Sequence, residues 1–153
     1  MIEENTVTPS TMDPSIVNPR IVNPSGVRQV SAYSHAKIRA GVPVFLTGQV
    51  AWDLEGNVVG KGDIAVQVAL AWSNIRAILD DLGATTEDIV KITTYATDAR
   101  FMHVIGEEKA RQFTPGAFPA STFLVVAALA DPDLLVEIEA TVMIPPEHPA
   151  LAG

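Results

Sequence analysis

Residues 63–97 read DIAVQVALAWSNIRAILDDLGATTEDIVKITTYAT, and a change of rhythm within this stretch decides the fold class. Ile64, Val68, Ala71, Ile75, Ile78, Leu79 and Leu82 fall at offsets of three, four and seven, one apolar stripe along a helix. Asp63 can cap the start and Gly83 the end, so a helix is predicted over about 63–82. From Asp88 to Thr97 the period drops to two. Val90, Ile92, Thr94 and Ala96 take one face, while Lys91, Thr93 and Tyr95 take the other. A helix delivered straight into a strand belongs to a mixed α/β chain.

Working outward, the same two rhythms recur. Upstream, Gly41-Val42-Pro43 separates strands expected over about 30–39 and 43–50. The second, Val44 to Val50, reads as buried, and Asp53-Leu54-Glu55-Gly56-Asn57 carries turn chemistry. Downstream, Asp98 is placed to cap a second helix reaching about Phe113, with Phe101, Val104, Ile105 and Glu108 on one face. Two more strands are expected, about 120–129 and 134–144. In the last, Val136, Ile138, Ala140, Val142 and Ile144 form an apolar face, opposed by Leu135, Glu137, Glu139 and Thr141. This order suggests one mixed sheet with both helices on one side. The other side then needs a cover, which subunit assembly can supply.

The ends differ from the middle. Pro9, Pro14, Pro19 and Pro24 punctuate residues 1–26, and Ile-Val-Asn-Pro occurs at 16–19 and again at 21–24. Proline fixes φ and removes a donor, so this N-terminal extension is expected to be an extended arm or a loose tail. The folded domain is expected over 27–144, with 145–153 as a short tail.

Composition bounds the function. The 153 residues suit one domain, and 48% hydrophobic against 18% charged fits either a subunit interface or an efficiently packed monomer. The net charge is −8 and ten Lys and Arg are scattered, which argues against a nucleic-acid partner. Cysteine is absent, so thiol nucleophiles and thiolate metal sites are excluded. His35, His103 and His148 lack metal-ligand spacing; no nucleotide cradle or Gly-x-Ser-x-Gly elbow is present. No metal or cofactor is therefore expected. The start of the chain lacks a signal-peptide pattern and no apolar run is long enough to span a membrane, so a cytoplasmic protein is expected. Glu137 and Glu139, about 6–7 Å apart on one strand face, either position water in a cleft or are solvated carboxylates.

Several segments together resemble the Rid (YjgF) family across about residues 27–144. They are Tyr33-Ser34-His35-Ala36, Phe45-Leu46-Thr47-Gly48-Gln49, Gly62-Asp63-Ile64 with Gln67, and Asn74-Ile75 with Ile78-Leu79. Gly83 to Lys91, Phe118-Pro119-Ala120-Ser121-Thr122 and Val136-Glu137-Ile138-Glu139-Ala140 complete the ordered set. The resemblance implies an α+β, chorismate-mutase-like fold: a six-stranded mixed sheet with two helices on one face. It also implies a homotrimer whose sheets form a central barrel with three inter-subunit clefts. Active members hydrolyse enamines and imines such as 2-aminoacrylate without a cofactor. Carried over by position, Glu137 matches the water-orienting glutamate and Tyr33 a cleft tyrosine, while Thr47 takes the place of a cleft serine.

The chain also departs from the family pattern. Ser121 stands where an arginine binds the substrate carboxylate, Ile105 near a frequent asparagine, and Phe123 where cysteine is common. An arginine fork makes two charge-assisted hydrogen bonds of about 1.5–3 kcal/mol each. Its loss would weaken a carboxylate ligand by about two orders of magnitude. Arg39, Arg100 and Arg111 are the arginines considered as replacements. The reading that follows is a small-molecule deaminase acting on an enamine or imine other than 2-aminoacrylate. The alternatives are a catalytically silent ligand-binding trimer and, against the acidic balance, the ribonuclease role attached to some relatives.

Overall fold

The computed structural model describes residues 19–28 and 32–151. Strand β1 (Arg20–Val22), β2 (Ala36–Ile38) and β3 (Val42–Gln49) precede helix α1 (Ile64–Leu82). Then follow β4 (Ile89–Ala96), α2 (Met102–Arg111), β5 (Ala120–Val125) and β6 (Val136–Ile144). The order helix, strand, helix, strand, strand read from periodicity is therefore present. Both helix ends of α1 are built as their residues dictate. Asp63 accepts from the backbone N–H groups of Ala65 and Val66, and Gly83 closes the helix at φ 67°, the left-handed region.

The six strands divide into two sheets rather than one. β1 and β2 pair antiparallel by themselves, and the main sheet has the order β3-β6-β4-β5. β6 lies between β3 and β4, antiparallel to both, while β4 and β5 run parallel through the α2 crossover. Of the strand expected over 30–39, residues 30 and 31 lie outside the described residues, and among the rest the strand is Ala36–Ile38. Its partner is Arg20–Val22 of the Pro-rich segment, a pairing no local pattern announces. The first Ile-Val-Asn-Pro repeat and the rest of the expected arm, residues 1–18, lie outside the described residues.

The core sits between the helices and one face of the main sheet. Trp72, Ile75 and Leu79 of α1 pack with Ile92, Val136, Ile138, Val142 and Ile144 of the sheet, all nearly or fully buried. One face assignment changes. The β4–β6 register shifts between Ile89 and Lys91, so Ile89 rather than Val90 drops into the core. The opposite sheet face carries no helix. Phe45, 76% exposed, stands there with half-buried Lys91, Thr93, Tyr95, Glu137 and Glu139. No helix among the described residues is long and apolar enough to cross a membrane.

Candidate functional site

Ser34 is the staple from which the site is built. It is buried, its Oγ donates to the Phe118 carbonyl at 2.8 Å, and its N–H donates to the Pro119 carbonyl at 3.1 Å. These bonds pin the loop before β2 to the head of β5. Tyr33, next in the chain, is thereby set close to Ser121. An edge-on contact with the His35 ring, centroids 5.6 Å apart, supports the Tyr33 ring, and His35 Nε2 reaches the Arg28 carbonyl at 2.9 Å.

β5 turns Ser121 and Phe123 to the helix side of the sheet, in register with Ile92 and Thr94. Between these two residues, α2 and Tyr33 lies an open groove of about 1480 Å³. Ile105, buried, and Met102, exposed, supply its apolar wall from α2. Four of the residues selected from sequence therefore meet here: Tyr33, Ile105, Ser121 and Phe123.

Thr47 and Glu137 do not line this groove. They lie on the sheet face that no helix covers, where β3 breaks register with β6 between Leu46 and Gln49. Glu137 presses against Gly48 in that break: a Cβ built on Gly48 would stand 1.8 Å from Glu137 Oε1. Only glycine leaves space for the carboxyl. Glu139, its neighbour on the same face, accepts from the Tyr95 hydroxyl at 3.2 Å. Burial first, then that hydrogen bond, raises the Tyr95 pKa. A shallow depression beside it is bounded by Phe45, Lys91, Thr93 and Glu139. One chain thus carries two separate features, a cationic-apolar groove and a carboxylate face.

The arginines considered as replacements are otherwise engaged. Arg39 is ion-paired with Asp88. Arg100 reaches the groove rim but forks onto Asp98, and Arg111 pairs with Glu108 at 2.7 Å. The half-buried cation of the groove is Lys109, which sequence reasoning passed over. Its Nζ lies 3.3 Å from Ser121 Oγ and 6.0 Å from the Tyr33 ring centroid. A signal was available, since Lys109 follows Ile105 by four residues and so shares its helix face. What no pattern gives is the distance across to β5. Among the described residues no cluster of three metal-ligating side chains occurs.

Residues 25–144 match the model of a family described as Endoribonuclease L-PSP. A RutC family protein of Pyrococcus abyssi is 34% identical over 113 residues, 74% of this chain and 87% of the relative. A 2-iminobutanoate/2-iminopropanoate deaminase of Dermatophagoides farinae is 29% identical over 115 residues, 75% of this chain and 88% of the relative. Among solved structures, a Rid-family protein from Yersinia pestis superposes with a TM-score of 0.76 at 34% identity. That match covers 83% of this chain and 99% of the other.

Proposed function

The chain belongs to the Rid family, within the larger group described as Endoribonuclease L-PSP, and from that premise we propose that it is a cofactor-free imine or enamine deaminase. The observation that carries the proposal is the seat made for Glu137 by Gly48. A half-buried carboxylate seated against Gly48, on a sheet face with no cover, is suited to positioning water once a second copy closes over it. In the proposed homotrimer, Glu137 and Thr47 of one protomer face the groove of its neighbour, and the two half-sites become one cleft.

The chemistry asked of this cleft is modest. Glu137 orients a water molecule and accepts its proton as the oxygen attacks the C=N carbon. A C–O bond forms and the C=N π pair moves to nitrogen. The carbinolamine nitrogen is then protonated, the C–N bond breaks, and ammonia leaves as the carbonyl forms. Such proton transfer contributes typically 10²–10⁴-fold. The deaminase named among the relatives acts on small imino acids; here Ile105 and Phe123 favour a larger apolar side chain. A net charge of −8 argues against the RNA substrate that the family description mentions.

The test is ammonia release from imines generated in situ by an amino-acid oxidase acting on a panel of apolar amino acids. Purified protein is expected to accelerate release from at least one, and Glu137→Gln to lower that acceleration at least about 100-fold. A panel on which the wild-type protein accelerates nothing rejects the reading.

A further inference from the structure

Lys109 is a cation with no counter-charge. Among the described residues no carboxylate lies within ion-pair distance of its Nζ, which donates to the Ser121 hydroxyl. Its surroundings are half-buried and in part aromatic and aliphatic: the Tyr33 ring, Ile105 and Phe123. Burial alone pulls its pKa below the usual lysine value of 10.5, with no acidic neighbour to oppose the shift. Nothing in the packing requires an ammonium here, since a methionine would fill the same stem volume. A half-buried charge kept without a partner is best matched by one that arrives with a ligand.

The hydrogen-bond polarity specifies that ligand further. Nζ donates to Ser121 Oγ, so the serine hydrogen remains available to another acceptor. Two of the three ammonium hydrogens are likewise left over. The groove thus offers donors from α2 and β5 side by side, with apolar walls behind them. We propose that Lys109 and Ser121 together form a split anchor for the carboxylate of a small molecule whose apolar part lies against Ile105 and Phe123. This rests on the reading of the groove as the ligand cleft. It also restores, from a different element, the anion site that the serine at position 121 was expected to abolish. Lysine is a compact point charge and not a planar fork, so the carboxylate is held by charge with looser control of its plane.

Benzoate and benzamide, of one shape and differing in charge, are the probes, titrated by NMR into the full-length protein. The wild type is expected to bind benzoate at least about tenfold more tightly than benzamide. Lys109→Met is expected to remove that preference while leaving benzamide binding unchanged, which also reports an intact groove. Lys109→Arg should keep the preference, and Ser121→Ala should reduce it severalfold. Equal binding of the two probes by the wild type, no benzoate binding at all, or undiminished benzoate binding by Lys109→Met overturns the anchor. Ammonia release does not enter this readout. Benzoate held through Lys109 by a protein that releases no ammonia upholds the anchor and rejects the deaminase.

Discussion

A methyl group at position 48 would occupy the space that Glu137 fills. Gly48→Ala is therefore expected to evict the carboxyl and lower ammonia release about as far as Glu137→Gln does, with only a small loss of stability, because the displaced atoms are the free end of a flexible side chain. Denaturant melts and the ammonia assay check both parts. Lys109 makes a prediction of opposite sign for stability. Its folded pKa is lowered, so between that value and 10.5 the unfolded chain binds more protons, and stability rises with pH through that window. At pH 7 Lys109→Met should be at least as stable as wild type even as it loses benzoate, a divergence that thermal melts would reveal. Benzoate affinity should fall with rising pH below 10.5 in the wild type and stay level in Lys109→Arg. Arg28, Arg100, His103 and Glu107 face the same groove, as does Tyr33, and are common to both proteins, so the difference belongs to Lys109. At this scale the family resemblance supplied the positions of Tyr33, Ser121 and Glu137. Lys109 escaped because its meaning lies in the reach between α2 and β5, which no linear pattern encodes.

Among the elements, α1 is secured at its start by Gln67 as much as by its apolar stripe. This side chain is fully buried; its Nε2 donates to the carbonyls of Gly60 at 3.1 Å and Asp133 at 2.8 Å. Its Oε1 accepts from the Leu135 N–H at 2.8 Å. One residue therefore ties the helix to the turn before it and to the entry of β6. Gln67→Leu would strand three buried backbone groups, and a loss of about 2–5 kcal/mol in a denaturant titration is expected. The helix itself was legible because its stripe, cap and stop all lie within twenty residues. β6 was legible because its alternation is unbroken over nine. The partner of β2 was not, since β1 lies in a segment whose prolines argue against a sheet. The register slip that exchanges Ile89 for Val90 was equally hidden, because a bulge depends on the partner strand.

For the whole molecule, the uncovered sheet face is where the proposed trimer would assemble. Phe45 projects from it on the face that carries Glu137. Phe45→Asp is expected to yield a folded monomer in sedimentation, with native circular dichroism and no ammonia release. A trimer in this variant would place the interface elsewhere. Fold class and family could be read from the ordered segments. The distance of Thr47 and Glu137 from the groove of Tyr33, Ser121 and Phe123 could not, because a resemblance names residues without saying which face of the sheet carries each one.

The position of β6 between β3 and β4 also has a bearing on biogenesis. The chain's last strand fills the centre of its sheet, so on the ribosome β3 and β4 stay unbridged until residues 136–144 have emerged from the exit tunnel. A nascent chain stalled before Val136 exposes two apolar strand edges with nothing to pair them, an invitation to chaperones or to aggregation. The sheet therefore cannot close until β6 is available, and a chain truncated before Val136 leaves β3 and β4 without the strand that joins them.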